Sequence, residues 1–155
     1  MKSDQVVEFL QKRFPDAVKQ IQVKRETRIF AETTPEKLLE VLKALKEWGM
    51  INVGTITGLD LAGEKFEVMY HLYDNQGVML NLKIFVPGTD PVIPSIIGIY
   101  PGSVLYEREL VDLLGIKVTG LPPGFRYPLP DSWPEGQYPL RKDWKGLARK
   151  EEVMK

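Results

Sequence analysis

Four charged side chains lie close together within residues 103 to 114. They are Glu107, Arg108, Glu109 and Asp112. On a helix, Glu109 and Asp112 would share one face, where two carboxyl groups could act as a general acid and a general base. Arg108 and Asp112, four positions apart, could instead form an ion pair. The spacing therefore fits either acid–base catalysis or an ion-pair cluster.

The apolar residues of the same segment favour the ion-pair cluster. They would surround most of the helix and predict that it is largely buried: Val104, Leu105, Leu110, Val111, Leu113 and Leu114. Charges on a buried helix need partners, because desolvation costs on the order of several kcal/mol per ion. We expect Arg126, Arg141 or an arginine of a partner chain to supply them. The alternative is a small stand-alone enzyme, in which His71 could join Glu109 and Asp112 in a cleft.

Residue types that usually carry out redox or metal chemistry are scarce in this chain. Because it has no cysteine, the sequence excludes disulfides, thiolate metal sites and cysteine nucleophiles. The one histidine, His71, leaves little material for a zinc site or a Ser-His-Asp triad. It lies in an apolar strand, so we expect a hydrogen-bonded core residue. The sequence therefore predicts no catalytic, cofactor-binding or metal-binding residue.

The last part of the chain combines proline, aromatic and basic residues. Six of the 12 prolines lie between Pro122 and Pro139. The aromatic and basic members are Phe125, Tyr127, Trp133, Tyr138 and Trp144 with Arg126, Arg141, Lys142, Lys145, Arg149 and Lys150. Such a segment could cover its own domain or wrap a partner chain, and composition supports both equally. Stacking on single-stranded nucleic acid is a third hypothesis, which three acidic residues in the same stretch disfavour.

Length and composition place these features in a globular protein. The chain has 155 residues, 43% of them hydrophobic, which suits one domain with its own core. Its 21 basic residues equal its 21 acidic ones, which argues against a protein whose whole body binds a polyanion. No apolar run approaches the length of a membrane-spanning helix, and the start does not look like a signal peptide. We therefore expect a soluble cytoplasmic domain.

Hydrophobic periodicity predicts the elements that must position these residues. In chain order they are a helix over 4–13, a strand over 21–30, a helix from Thr34 to Gly49, a strand and a hairpin between 51 and 86, a loop over 87–94 and a helix over 103–114. This order predicts an α+β fold of two layers, a mixed β-sheet with helices packed on one face. Residues 1–120 would form this domain, and residues 121–155 an extended Pro/aromatic-rich C-terminal tail.

Two stretches in the second half of the chain resemble a known family. They are Tyr106-Glu-Arg-Glu-Leu-Val-Asp-Leu-Leu-Gly-Ile116 and Pro139-Leu-Arg-Lys-Asp-Trp144. Their order and spacing are similar to those of the 30 kDa subunit of respiratory complex I, a family with relatives in membrane-bound energy-converting NiFe hydrogenases. The resemblance continues more weakly upstream, so that it covers about residues 50 to 146.

Departures from the family pattern favour one branch of the family. Leu105 stands where the family usually has tryptophan, and Gly120-Leu-Pro-Pro-Gly124 replaces a stretch of the Gly-His-Pro-Asp type. Residues 129 to 136 look more like the hydrogenase-type relatives than the NADH enzymes. The resemblance therefore favours a ferredoxin-linked, ion-translocating hydrogenase type, with the 30 kDa subunit of an NADH/quinone oxidoreductase (complex I, an NADH dehydrogenase) as the alternative. Scarce Cys and His with abundant Lys and Glu also fit a thermophile.

The resemblance implies a structural and assembly subunit of an oxidoreductase complex. Such a subunit has no cofactor, belongs to the peripheral arm on the cytoplasmic side of the cell membrane, and reaches the membrane only through the complex. The implied partners are the large catalytic subunit, a homologue of the NiFe-hydrogenase large chain, and the Fe–S small subunit, with no nucleic acid. The expected partner-binding residues are Glu107, Arg108, Glu109, Asp112, Arg126, Tyr127, Trp133, Tyr138, Arg141, Lys142, Asp143 and Trp144.

Overall fold

The computed structural model describes residues 2–147, so Arg149 and Lys150 of the predicted tail lie outside the described residues. The elements, in chain order, are α1 Ser3–Arg13, β1 Lys19–Arg25, β2 Arg28–Glu32, α2 Pro35–Trp48, β3 Asn52–Leu61, β4 Lys65–Tyr73, β5 Met79–Pro87, β6 Val92–Pro94, a 3-10 turn Pro101–Ser103, α3 Val104–Leu114 and β7 Lys117–Thr119. None of the helices within residues 2–147 has the length and hydrophobicity that crossing a bilayer requires.

Five strands form one mixed sheet in the order β1-β2-β5-β4-β3. β4 pairs antiparallel with β5 without interruption, from Lys65 opposite Pro87 to Tyr73 opposite Met79, and β3 is the antiparallel neighbour of β4. β2 instead runs parallel to β5. Because parallel neighbours need a crossover, the chain passes through α2 and the β3–β4 hairpin before β5 returns beside β2. The predicted mixed sheet is confirmed.

Alternation along the strands gives the sheet one buried face. That face carries Phe66, Val68, Tyr70 and Leu72 of β4 and Leu80, Leu82, Ile84 and Val86 of β5. These side chains share one hydrophobic core with the buried residues of α1 and α2, and α3 packs against β3 on the same side. Met69 and His71 of β4 point to the opposite face and are half-buried. The predicted two-layer arrangement, with helices on one face, is confirmed.

The sequence of α2 explains why it packs on this sheet. Pro35 occupies the first helical position, where its fixed φ suits a helix and no intrahelical N–H bond is lost. The buried residues of α2 recur at helical spacing and are Leu38, Val41, Leu42 and Leu45. Gly49 ends the helix with a φ of +134°, which a side chain would disfavour, and its N–H bonds the carbonyls of Leu45 and Lys46. This helix agrees with the sequence prediction.

Three predicted elements differ from the structure. The segment predicted as one strand over 21–30 is instead the β1–β2 hairpin. The prediction missed its turn because residues 26 and 27 include no Gly, Asn or Pro, which usually mark a reversal. The loop predicted over 87–94 contains β6, which pairs parallel with β7 and keeps its proline at the strand end. The helix predicted as largely buried leaves Leu105 and Val111 more than one third exposed.

Candidate functional site

α3 carries the charged cluster and packs directly onto β3. Gly58 permits the close approach, since a Cβ at this position would overlap Leu114 and lie 2.8 Å from Leu110 Cδ2. The helix ends at Gly115, whose φ of +69° and N–H bond to the Val111 carbonyl form a left-handed C-terminal cap. These two glycines therefore fix where the charged side chains of α3 lie.

Glu107 is buried, with 1% of its surface exposed, and its carboxylate is bound by its own chain. Ser95 Oγ donates to Oε2 at 2.6 Å, the Ile96 N–H donates to Oε1 at 2.6 Å, and Ser103 Oγ donates to Oε1 at 3.4 Å. Burial raises the pKa of Glu107, and these three hydrogen bonds oppose the rise. The carboxylate thus ties the segment before α3 to the helix.

The phenol of Tyr70 lies in the same interior region. Its buried hydroxyl finds no hydrogen-bond partner among the described residues. Burial raises the pKa of Tyr70 above its usual range, and the negative charge of Glu107 adds to this rise. Tyr70 therefore remains neutral beside a buried carboxylate.

Asp112 binds the C-terminal tail from the next turn of α3. Its Oδ1 accepts from Arg126 Nε at 3.0 Å, and its Oδ2 accepts from the Leu129 N–H at 3.1 Å. The pair is largely shielded from solvent, with 9% of the Asp112 side chain and 21% of the Arg126 side chain exposed. Arg126 also donates through Nη1 to the Trp133 carbonyl at 2.7 Å. The Asp112 carboxylate therefore binds two points of the tail directly, and Arg126 connects it to a third.

Arg108 binds the tail as well and does not form the predicted ion pair with Asp112. Its guanidinium donates to the Phe125 carbonyl at 3.1 Å and to the Pro122 carbonyl at 3.0 Å. The guanidinium carbon also lies 5.4 Å from the centre of the Phe125 ring, within cation–π range. A Cβ at Gly124 would overlap this guanidinium, so the glycine is needed for the approach.

Arg141 fastens the tail at the C-terminal end of α3. Its Nε donates to the Leu114 carbonyl at 2.7 Å, where a cation also suits the negative end of the helix dipole. The guanidinium lies 4.8 Å from the Tyr138 ring centre and 5.2 Å from that of Phe66. Next to it, the Lys142 N–H donates to Asp60 Oδ2 at 2.8 Å. The Pro-Leu-Arg-Lys-Asp motif thus binds both α3 and the end of β3.

The two tryptophans of the tail are held by a third tail residue. The indole N–H of Trp133 donates to the Gln137 carbonyl at 2.8 Å, and that of Trp144 donates to Gln137 Oε1 at 3.1 Å. Their ring centres are 6.0 Å apart. Tyr127 is half-buried, whereas the Asp143 side chain is exposed. The aromatic residues therefore give this irregular segment an internal structure of its own.

Residues 122–144, which we call the strap, fold back along α3. The sequence allowed two alternatives equally, in which this segment covers its own domain or wraps a partner chain. The contacts above show that the strap covers its own domain. Among the exposed residues of the strap, we call four together the strap surface: Phe125, Leu140, Lys142 and Asp143. Phe125 is 67% exposed and Leu140 54% exposed.

The two carboxyl groups of the proposed acid–base pair have different surroundings in the structure. Both oxygens of Asp112 accept hydrogen bonds from the strap, whereas Glu109 lines a groove beside β3. His71 is occupied as well, with Nδ1 2.6 Å from Asn81 Oδ1 and Nε2 3.1 Å from Thr57 Oγ1. The predicted hydrogen bonding of His71 agrees with these contacts, but its predicted place in the core is wrong, since the side chain is half-buried on the opposite face. His71 points to the face of the sheet opposite α3, so it does not join Glu109 and Asp112 in one cleft.

Several residues that hold the site could not be found from the sequence. They are Ser95, Ile96, Asp60 and Gln137. Ser95 follows Pro94 in a segment that the resemblance covers, but only the fold brings it to Glu107. Across residues 2–147, no three His, Asp or Glu side chains come together as a metal site would require.

Comparison with known proteins identifies the family. The family model described as respiratory-chain NADH dehydrogenase, 30 Kd subunit, matches residues 31–150, well over half of the chain. The chain belongs to this family. The matched region contains α3 and the whole strap, so the contacts described above lie inside it. The predicted family resemblance is confirmed.

Two curated relatives come from different complexes. The membrane-bound hydrogenase subunit beta of Pyrococcus furiosus is 31% identical over 160 residues, covering 99% of this chain and 91% of the relative. An NADH-quinone oxidoreductase subunit of Roseiflexus sp. strain RS-1 is 33% identical over 146 residues, covering 89% of this chain and 81% of the relative. Both similarities extend over nearly the whole fold.

A solved structure has the same fold. A chain in the membrane-bound sulfane sulfur reductase, an archaeal respiratory membrane complex, matches with a TM-score of 0.82 and 29% identity. The match covers 93% of this chain and 86% of that chain. The α+β arrangement described here therefore also occurs in a protein of a membrane complex.

Substitution of Glu107 tests the role of its buried carboxylate. Glu107→Ala should lower the free energy of unfolding by about 1–3 kcal/mol for each buried donor left unpaired, since Ile96 N–H and Ser95 Oγ lose their acceptor. Glu107→Gln keeps one acceptor and removes the charge, so its cost should be smaller. Urea denaturation of both variants measures the difference, and equal losses would contradict it.

The same variants test the raised pKa of Glu107. An acid whose pKa is raised by folding stabilises the protein at low pH, and this stabilisation is lost as pH rises through the folded-state pKa. The free energy of unfolding of the wild type should therefore fall relative to Glu107→Gln as the pH rises above the ordinary glutamate range. A constant difference between the two across this range would contradict the buried, ionisable carboxylate.

Asp112→Ala should release the strap while leaving the sheet intact. Two charge-assisted hydrogen bonds worth about 1.5–3 kcal/mol each are lost, so amide exchange over residues 122–129 should become at least about ten times faster. Hydrogen exchange with mass spectrometry measures this, and the amides of β4 and β5 should not change. Glu109→Ala on the same helix is the matched control. Unchanged exchange in the strap of Asp112→Ala would contradict this role.

Proposed function

We propose that this chain is a non-catalytic structural and assembly subunit of the peripheral arm of a complex I-like membrane-bound oxidoreductase. Membership of the 30 kDa subunit family supports this, as does similarity to subunits of a hydrogenase and of an NADH-quinone oxidoreductase. The observation that carries the proposal is that the charged residues of α3 form hydrogen bonds within their own chain. Glu107, Arg108 and Asp112 hold the fold and the strap together, and their donors and acceptors are occupied by their own chain.

The proposed docking partner is the large catalytic subunit, with the Fe–S small subunit in the same complex. The strap surface supports this, because it combines an exposed aromatic ring, an exposed leucine and both signs of charge. Aromatic anchors with surrounding charges are typical of protein interfaces. The strap is also held in place before docking, so that binding the partner costs less conformational entropy. Of the twelve predicted partner-binding residues, Lys142 and Asp143 are the exposed charged pair on this surface.

We place the complex among the hydrogenase-type, ferredoxin-linked and ion-translocating enzymes. The extensive match to the Pyrococcus furiosus hydrogenase subunit supports this placement, since it covers nearly all of both chains. The equivalent subunit of an NADH/quinone oxidoreductase is the second candidate, which the Roseiflexus relative favours. In either complex the chain would lie on the cytoplasmic side of the membrane and reach it only through its partners.

Purification of the tagged full chain from its source cells tests this function. The large subunit and the Fe–S subunit should co-purify with it, and the isolated chain should show no redox or hydrolytic turnover. Phe125→Asp combined with Lys142→Glu should reduce recovery of the large subunit at least about tenfold, because interface anchors and charges of this kind each contribute on the order of 1–2 kcal/mol.

Leu39→Asp is the matched control for this experiment, since Leu39 is an exposed leucine of α2 outside the strap surface. It should leave recovery unchanged, and thermal melting should show that both variants remain folded. Recovery of the tagged chain alone from gently solubilised membranes would refute the assembly role. Full recovery of the large subunit with the folded double variant would refute docking through the strap surface.

A further inference from the structure

The two edges of the five-stranded sheet differ in how they are protected. The edge strand β1 has seven residues and carries Lys19, Lys24 and Arg25. Its pairing with β2 has two register shifts, and Gln20 has a φ of +52°. Charges and irregular register of this kind prevent another strand from adding to an edge. The β1 edge is therefore closed to strand pairing.

The opposite edge strand, β3, has fewer protections, with one register shift near its start, just before Thr55. It has ten residues without lysine, arginine or proline. Its register with β4 is continuous from Thr55 to Leu61. Its one charged residue, Asp60, is buried and accepts hydrogen bonds from the N–H groups of Gly63 and Lys142. A long, regular edge presents unpaired N–H and C=O groups to a further strand.

The outer side of β3 remains accessible where the strap does not cross it. In the described part of the chain, β4 is the strand that pairs with β3, and the strap touches the end of β3 at Asp60. Beside residues 55–58 lies a groove of about 160 Å³. Side chains of α3 and the strap complete its lining: Glu109, Leu110, Leu113, Leu114 and Leu140. Both backbone pairing groups and a side-chain recess are therefore available at the same place.

The chemistry of this groove indicates what it would hold. Leucine side chains line it, and Leu140 is 54% exposed, so an aliphatic side chain fits there. Glu109 stands at the groove, and none of the side chains in residues 2–147 pairs with its carboxylate. A carboxylate beside an apolar recess is complementary to a lysine or arginine on the bound segment.

We propose that the β3 edge accepts an extended segment of the partner subunit as a sixth strand of the sheet. This inference rests on the proposed assembly function. The segment places an aliphatic side chain against Leu113 and Leu140 and, two positions away, a lysine or arginine against Glu109. Alternate residues of a strand are about 7 Å apart, and the four-residue step from Glu109 to Leu113 rises about 6 Å along α3, so the two spacings are similar.

A second copy of this chain is a poorer occupant of the edge. Pairing of two β3 strands would bring no basic side chain to Glu109, because β3 contains neither lysine nor arginine. It would instead bring two copies of the same acidic α3 face toward one joint sheet, which like charges disfavour. A partner of different sequence satisfies the groove and the carboxylate together.

Hydrogen exchange of the full chain, alone and in complex with the co-expressed large and Fe–S subunits, tests the proposal. Within residues 55–58, the outward-facing amides should exchange at least about one hundred times more slowly in the complex. The amides of β1 should not change. If the complex forms and residues 55–58 exchange as in the free chain, strand addition is refuted while the assembly function stands. If no complex forms, both proposals fail.

Size measurement of the isolated chain tests the choice of occupant. A monomer with fast-exchanging β3 amides supports the partner segment, whereas a dimer with protected β3 amides would overturn it. Glu109→Lys should weaken binding to the partner at least about tenfold and reduce protection of residues 55–58. Glu47→Lys, an exposed glutamate on α2, is the matched control and should bind as the wild type does. Unchanged affinity of the folded Glu109→Lys variant would refute the charge contact.

Discussion

The burial of two carboxylates on α3 is the constraint on which the rest of the site depends. A carboxylate taken out of water costs several kcal/mol unless donors replace its hydration, by an order-of-magnitude estimate. Glu107 obtains these donors from the segment before α3, and Asp112 obtains them from the strap. Each acid therefore holds an irregular stretch of chain in one place. Both stretches are thus bound to the same helix, α3.

In this arrangement, charged residues whose spacing resembles that of a catalytic pair have a structural role. Once the strap is held by Arg108, Asp112 and Leu114, its exposed side can carry Phe125 and Leu140 in a fixed geometry. The same strap binds the end of β3 at Asp60 and, through Leu140, lines the groove beside residues 55–58. Phe125 and Leu140 thus stay exposed on a strap that is bound to α3, and it is through these residues that we propose docking.

The sequence predicted those parts of the fold that depend on local pattern. The α2 stripe, the β4–β5 hairpin and the α3 boundaries follow from periodicity and terminal glycines. The β1–β2 turn and β6 could not be predicted, since the first has no turn residues and the second exists only through its pairing with β7. The need for partners around the α3 charges was predictable from desolvation. That Glu107 would find Ser95 depends on the tertiary fold, which spacing alone does not encode.

Docking through the strap surface and the β3 edge is tested most directly by an electron cryo-microscopy map of the native complex purified through this chain. We expect the map to show the strap surface buried against the large subunit, with the strap still bound to α3, and a sixth strand of that partner continuous with β3. A map in which the strap surface and the β3 edge both face solvent, with the chain attached through α1 and α2, would contradict docking through these two surfaces.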